Sequence, residues 1–213
     1  MYFFCKLIST SGSEVSREKK KLNIWQLTIG EPIPHDGESV RLHRAGLMSE
    51  WLAERGHQVT FINSSFFHQK RLQRFDLTTT LSISENFTIV CLHSRPYSSS
   101  ISFGRVLSHR DAARSFRAWL ETADCLPDII IASYPVVELC EEAVFFAKNK
   151  KVPVVIDCRD FWPDIFSELL PASLRWLSGA FFWLANQRAN KALASASVIC
   201  SHTASGLRWG LTR

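Results

Sequence analysis

The chain has 213 residues, of which 46% are hydrophobic and 21% are charged. This composition is typical of a globular protein and excludes a disordered or fibrous chain, and the length suffices for one domain with a full core. The net charge of +5 favours an acidic partner: nucleic acid, an anionic membrane or a phosphate-bearing substrate. A solvated basic surface explains the same charge.

The six cysteines fit neither a zinc site nor a disulfide framework, because no two have the C-x-x-C spacing. Most lie in apolar segments, and buried free thiols are typical of the reducing cytosol. No apolar run reaches the roughly 18 residues of a membrane span, and residues 1–9 lack the cleavage site of a signal peptide. These features predict a cytoplasmic chain, and no residue pattern implies a metal or a cofactor.

Residues 1–21 predict a flexible N-terminal arm, because they end in a polar and charged stretch. After the arm, short apolar runs alternate with segments of helical spacing. The predicted strands cover residues 22–29, 59–62, 87–92, 128–133, 152–156 and 196–200. The predicted helices cover residues 40–55, 104–124, 136–150 and 173–194, whereas residues 65–87 follow no clear pattern. This alternation predicts one α/β domain over residues 22–213, a Rossmann-like parallel sheet with helices on both faces.

The loop after the first predicted strand is the first candidate site, since such sheets bind ligands at the carboxyl ends of their strands. A helix N terminus there offers free N–H groups to an anion. Gly37 permits close approach, Ser39 caps the helix and adds a hydroxyl, and Arg41 and Arg44 follow in the first turns. Arg44 falls on the apolar stripe of the predicted helix, together with Val40, Leu47 and Trp51. There it either faces a cleft and binds substrate or pairs with an acid of the chain. No dinucleotide-binding glycine motif or P-loop occurs.

The second candidate site is the run Asp-Cys-Arg-Asp-Phe-Trp-Pro-Asp at residues 157–164, directly after a predicted strand. Asp160 is a candidate general base, Arg159 a candidate substrate ligand and Trp162 a candidate to stack on a sugar ring. A structural loop with an Arg–Asp pair and an aromatic plug explains the same run.

Arg95 and Tyr134 follow two further strands and complete the candidate substrate-binding set. His93 beside them is lone, and a lone histidine is more often structural than catalytic. The helix at 173–194 carries basic and aromatic residues, and fits either a core helix or a helix lying on an anionic membrane.

Together, several segments resemble the N-terminal domain of family-four glycosyltransferases, which have the two-domain GT-B fold. The resemblance runs in family order over about residues 22–210, and the arginine–aspartate–aromatic–Trp-Pro-Asp run is its most specific part. The segments that carry it are Gly30-Glu31-Pro32-Ile33-Pro34, Arg41-Leu42-His43-Arg44-Ala45-Gly46-Leu47, Arg55-Gly56-His57-Gln58-Val59-Thr60, Arg105-Val106-Leu107-Ser108-His109, Ala132-Ser133-Tyr134-Pro135 and residues 152–164.

The resemblance implies that this domain holds the acceptor and that a C-terminal domain holds the nucleotide-sugar, with chemistry in the cleft between them. Arg44 matches the arginine after the family's glycine loop, and Arg159 and Asp160 match the family's cleft loop. The chain departs from the family at positions 39 and 40, where many members have two glycines, and at residues 132–135, where many have histidines.

The function implied by the resemblance is transfer of a sugar from a nucleotide-sugar donor to a lipid-linked or polysaccharide acceptor, in surface polysaccharide synthesis. The chain ends where the donor domain would begin, so we expect a fragment, a truncated product or a subunit of a split enzyme that is inactive alone. Its partners would then include the missing C-terminal domain or a partner chain and, weakly, the anionic inner face of the membrane. A non-catalytic acceptor-binding subunit and another GT-B enzyme, such as a nucleotide-sugar epimerase, are alternatives. Nucleic-acid binding is disfavoured because no binding motif occurs.

Overall fold

The structure is a computed structural model that describes residues 20–37, 40–99, 102–164 and 182–213. These residues form a seven-stranded sheet, a small two-stranded hairpin and helices on both faces of the sheet. The strands are β1 (Asn23–Leu27), β2 (Gln58–Ser64), β3 (Phe66–Phe67), β4 (Leu72–Gln73), β5 (Thr79–Ser84), β6 (Phe87–Leu92), β7 (Ile129–Tyr134), β8 (Val154–Cys158) and β9 (Val198–Ser201). The helices are α1 (Arg44–Glu54), α2 (Phe103–Leu120), α3 (Val137–Lys150), α4 (Trp183–Ala194) and α5 (Ala204–Leu211).

The sheet has the strand order β5-β6-β2-β1-β7-β8-β9, and every neighbouring pair is parallel except β5 with β6. The strand order reverses direction between β1 and β7, which makes this pair the topological switch point of a Rossmann-like sheet. The predicted fold class is therefore confirmed.

Two apolar layers cover the sheet, because successive side chains of a strand point to opposite faces. Ile24 belongs to the layer under α1, whereas Trp25 belongs to the layer under α2, α3 and α4. Trp25 contacts Phe116 and Trp119 edge-on and stacks on Phe146 at 5.5 Å between ring centroids. This aromatic group fixes α2 and α3 against the central strand.

Helix α1 begins at Arg44 rather than at residue 40, with His43 at its N-cap. Leu42 is buried, and a Cβ on Gly46 would lie only 3.3 Å from the Leu42 Cβ, so Leu42 anchors the incoming chain beside the first turn. The prediction that Ser39 caps this helix is wrong. Ser39 itself lies outside the described residues.

Small residues form the buried face of α1: Ala45, Gly46, Ser49 and Ala53. Leu47 and Trp51, which the predicted apolar stripe placed toward the core, are 48% and 51% exposed. The Arg55 guanidinium lies 3.5 Å from the centre of the Trp51 ring. The helix therefore approaches the sheet through its small side chains and turns its large ones outward.

Residues 65–86, for which no pattern was clear, contain the β3–β4 hairpin and the antiparallel edge strand β5. No helix crosses between β2 and β6, all of whose connecting residues are described. Helix α4 forms the described part of the helix predicted at 173–194, whose residues 173–181 lie outside the described residues. Helix α5 was not predicted.

Candidate functional site

The loop that leaves β1 is held in place by a buried ion pair. The Arg74 guanidinium donates to both carboxylate oxygens of Asp36 at 2.6 Å, and both side chains are only 3% exposed. Arg74 also donates to the carbonyl oxygens of Glu31 and Ser64, each at 2.9 Å. Because the buried guanidinium is hydrogen-bonded to all of these partners, the loop is held in one conformation.

At the carboxyl edge of the sheet, four charged side chains alternate in sign. The Arg159 guanidinium contacts the Glu31 carboxylate and donates to Asp157 Oδ2 at 3.0 Å, and Arg44 lies 3.1 Å from Asp157 Oδ1. We name Glu31, Arg159, Asp157 and Arg44 the Asp157 network. It joins the β1 loop, the end of β8 and the first residue of α1. Two carboxylates balance two guanidinium groups, so buried charge is compensated.

Burial lowers the pKa of Arg159, but the charges of Glu31 and Asp157 outweigh burial and leave that pKa raised. Arg159 therefore stays charged at every physiological pH. The Cys200 thiol donates to Asp157 Oδ1 at 3.6 Å, and burial, together with the Asp157 charge, raises the pKa of Cys200 to about 12. This thiol is a weak donor to the network and not a nucleophile.

Asp160 differs from the acids of the network because it is exposed. Among the described residues, none forms an ion pair or hydrogen bond with its carboxylate. An exposed carboxylate at the carboxyl edge of a parallel sheet can accept a hydrogen bond or a proton from a substrate hydroxyl.

Trp162 and Tyr134 hold the loop after β8 onto the core. The Tyr134 hydroxyl donates to the Trp162 carbonyl, and the buried Tyr134 ring lies 5.6 Å from Trp209 of α5. The Trp162 side chain packs against the apolar layer under α2 to α4. Trp209 Nε1 also donates to Asp164 at 2.8 Å. These contacts are those of the structural loop with an aromatic plug, which was one of the two interpretations of this run.

The remaining sequence-predicted residues are dispersed along the same edge. Gly37 has a φ of 128° with nothing within 4 Å of its Cβ position, a conformation that favours glycine. Arg41 is exposed and precedes α1. Arg95 pairs with Asp111 of α2 and is not linked to the Asp157 network by any described ion pair.

Of the predicted residues, the structure brings Arg44 and Arg159 together, and it does so through Asp157. Sequence reasoning assigned no role to Glu31, which is buried at the far end of the network. The signal in the sequence that could have indicated a role for Glu31 was a carboxylate just after the first predicted strand, between a glycine and a proline. In the described part of the chain, no group of three or more metal-ligating side chains is arranged to hold an ion.

A cavity of about 950 Å³ lies between one face of the sheet and α2. It extends from Asn23 and Gln58, the first residues of β1 and β2, to Val90 of β6 and Ser115 of α2. None of the four residues of the Asp157 network lines it.

No protein-family model matches the sequence, and no curated protein matches it either. Among solved structures, LpCGTa in complex with UDP is similar at a TM-score of 0.51 and 17% identity, over 91% of this chain and 50% of that one. At this identity the likeness shows the fold alone. This fold is the Rossmann-like half of the GT-B glycosyltransferase fold.

Two further structures match less closely. Starch Synthase IV from Arabidopsis thaliana, bound to ADP and acarbose, has a TM-score of 0.43 and 12% identity, over 67% of this chain and 34% of that one. A ugt transferase from Siraitia grosvenorii, in complex with UDP, has a TM-score of 0.34 and 13% identity, over 65% of this chain and 28% of that one. The chain spans half or less of the length of each of the three proteins.

Proposed function

We propose that this chain is the acceptor-side half of a glycosyltransferase that uses a nucleotide-sugar donor and a lipid-linked or polysaccharide acceptor, in surface polysaccharide synthesis. The observation that carries the proposal is the exposed Asp160 carboxylate beside the Asp157 network, at the carboxyl edge where Rossmann-like sheets bind ligands. The fold shared with UDP-bound LpCGTa supports a nucleotide-linked donor.

In the proposed reaction, the acceptor hydroxyl oxygen forms a bond to the anomeric carbon of the donor sugar. The bond from that carbon to the diphosphate oxygen breaks, and the nucleoside diphosphate leaves with the electron pair. Asp160 accepts the hydroxyl proton as a general base. Arg44 and Arg159 act through the Asp157 network, whose fixed charges position the loop that carries Asp160. Gly37, Ser39 and Arg41 belong to the proposed acceptor side.

The test is a transfer assay with radiolabelled nucleotide-sugars and a lipid extract as acceptor. We expect no product from residues 1–213 alone, because transfer requires donor and acceptor to be held together. Adding a donor-binding Rossmann-like domain, fused or as a separate chain, should restore transfer. In that complete enzyme, Asp160→Asn should lower turnover about 100-fold, the contribution of a general base.

Robust turnover by residues 1–213 alone would contradict the proposed half-enzyme. The appearance of an epimerised nucleotide-sugar without transfer would instead establish the epimerase alternative. Full transfer activity of the Asp160→Asn enzyme would remove Asp160 from the chemistry.

A further inference from the structure

A second group of polar side chains lies at the same carboxyl edge and takes no part in the Asp157 network. His68 follows the β3 strand, and its Cβ lies 3.4 Å from the position that a Cβ on Gly30 would occupy. The His68 ring stacks on Tyr97, the two ring centroids being 5.1 Å apart. The Tyr97 Cβ in turn lies 3.2 Å from the Cβ position of Gly104, the second residue of α2. These contacts connect the β1 loop to the start of α2.

The group continues along α2 to the other side of the switch point. Arg105 Nε donates to His109 Nε2 at 3.5 Å, and His109 Nδ1 lies 3.9 Å from Glu138 Oε2 in the first turn of α3. We name His68, Tyr97, Arg105 and His109 the His68 cluster. Since α3 follows β7, this cluster spans from the end of β1 to the end of β7, the two strands between which the sheet order reverses.

The first turns of α2 extend beyond the sheet. Ser115 Oγ donates to the carbonyl of His93, the first residue after β6, at 2.9 Å. At a rise of about 1.5 Å per residue, Arg105 lies about 15 Å along the helix axis from Ser115, on the side away from the strands. The helix therefore carries Arg105 over the carboxyl edge, where a ligand at the switch point would lie.

Positive charge acts on both histidines of the cluster. Burial, together with the charges of Arg105 and His68, lowers the pKa of His109 to about 4. Burial and the charges of Arg105 and Arg71 lower the pKa of His68. Glu138, the acid beside His109, is shared with Arg188 at 3.4 Å. An anion that bound here would offset the positive charge that helps to keep both imidazoles neutral.

We propose that the His68 cluster binds the phosphate or diphosphate group of a substrate at the switch point. Arg105 supplies the permanent charge and is held by His109, whose Nε2 accepts from Arg105 Nε. The His68 imidazole supplies a donor that becomes stronger when the anion favours its protonation. A lipid-linked acceptor and a nucleotide-sugar donor both carry this chemical group. The assignment deepens the proposed glycosyl transfer and rests on it only for the identity of the substrate.

The test is calorimetric titration of residues 1–213 with inorganic pyrophosphate at low ionic strength. We expect saturable binding that Arg105→Gln weakens at least about tenfold, the effect of removing one charge-assisted hydrogen bond. The matched control is Arg110→Gln, which removes the same charge from an exposed position of the same helix and should leave affinity within about twofold. His68→Gln should also weaken binding, and circular dichroism checks that each variant is folded.

Absence of pyrophosphate binding by the unaltered chain would overturn the proposal, and so would equal weakening by Arg105→Gln and Arg110→Gln. Titrations with a short-chain prenyl diphosphate and with UDP distinguish the two sources of the group: whichever binds more tightly than pyrophosphate, and loses affinity in Arg105→Gln, is the ligand. These titrations involve no sugar transfer, so a failed transfer assay leaves their result intact.

Discussion

At the residue scale, Asp157 and Asp160 belong to one short segment and have opposite surroundings. The Asp157 side chain is 4% exposed between two guanidinium groups, whereas Asp160 is exposed. A buried carboxylate that neutralises two cations maintains the structure, and an exposed one is available to a substrate. Substitution of Asp157 should therefore chiefly lower stability, whereas substitution of Asp160 should chiefly lower activity.

We predict that Asp157→Asn lowers the free energy of unfolding by about 3 kcal/mol, because it removes the buried carboxylate charge that Arg44 and Arg159 share. Asp160→Asn, the matched change at an exposed position, should shift it by less than about 0.5 kcal/mol. Urea denaturation followed by circular dichroism measures both values. Equal destabilisation by the two variants would show that Asp160 also belongs to the packed structure.

His109 predicts a pH dependence of stability. Its pKa is about 4 in the folded chain, against about 6.5 in an unfolded chain, so the unfolded state binds the proton more readily. The stability that comes from keeping His109 neutral is fully present above pH 6.5. It is lost as the pH falls toward 4, by up to about 3 kcal/mol. Urea denaturation of wild type and His109→Gln across this range isolates the effect. Parallel curves for the two proteins would contradict it.

Sequence reasoning left two roles open for Arg44, and the structure shows the one in which Arg44 pairs with an acid of the chain. The identity of that acid could not be predicted, because it depends on which strand end faces the start of α1. The same limit applies to Arg159, whose contact with Glu31 joins residues that are 128 positions apart in the chain. The types of residue at the strand ends predicted where the candidate site lies. The order of the strands in the sheet determines which of these residues pair.

At the element scale, α1 shows how a helical pattern can be detected with the wrong face assigned to the core. Leu47 and Trp51 follow helical spacing, yet the buried stripe consists of alanine, glycine and serine. Hydrophobicity scales rank large side chains first, whereas close approach of a helix to a sheet requires small ones. The start of the helix was also misplaced, because Leu42 anchors the chain before the first turn.

We predict that Ala45→Leu lowers the free energy of unfolding by about 2 kcal/mol, since extra methylenes must enter a close-packed contact. Ala45 is fully buried on the face of α1 that packs on the sheet. The control is Leu47→Ala, a large-to-small change at an exposed position, which should alter stability by less than about 0.5 kcal/mol. Chemical denaturation measures both. A larger loss for Leu47→Ala would place the packing face where the sequence pattern put it.

At the scale of the whole molecule, the alternation of strands and helices predicted the parallel sheet and most of its strands. The exception is the segment between β2 and β6, where two short strands and an antiparallel edge strand replace the helix of a regular repeat. Two-residue strands and half-exposed threonines have no periodicity long enough to detect. The resemblance to family-four glycosyltransferases is matched by the structure at the coarser level of the GT-B fold.

We predict weak, reversible association with anionic membranes at the cytoplasmic face. In the described residues no helix is both long and apolar enough to cross a bilayer. Trp183 and Leu184, in the basic and aromatic helix predicted at 173–194, are 60% and 61% exposed, and the net charge is +5. Residues 173–181 of that predicted helix lie outside the described residues. Sedimentation with phosphatidylglycerol vesicles should decrease as salt rises.

The variant Trp183→Ser should sediment less than wild type, whereas Phe145→Ser, which removes an exposed aromatic from α3, should not. Lack of sedimentation at low salt would reject the association. Sedimentation that is insensitive to salt would reject its electrostatic part.

Strand β1 is the first of the described strands along the chain and lies at the centre of the sheet, and this position determines the order of events during synthesis on the ribosome. Strands β1, β2 and β6 can pair as soon as they emerge, but Glu31 must wait for Arg159, which is 128 residues further along. The Asp157 network therefore closes only after β8 has been made, when α4, β9 and α5 are still to follow. A contact between residues 128 apart is entropically costly to form early in folding, so we expect it to form after the transition state. Arg159→Ala should therefore accelerate unfolding and leave the rate of folding almost unchanged.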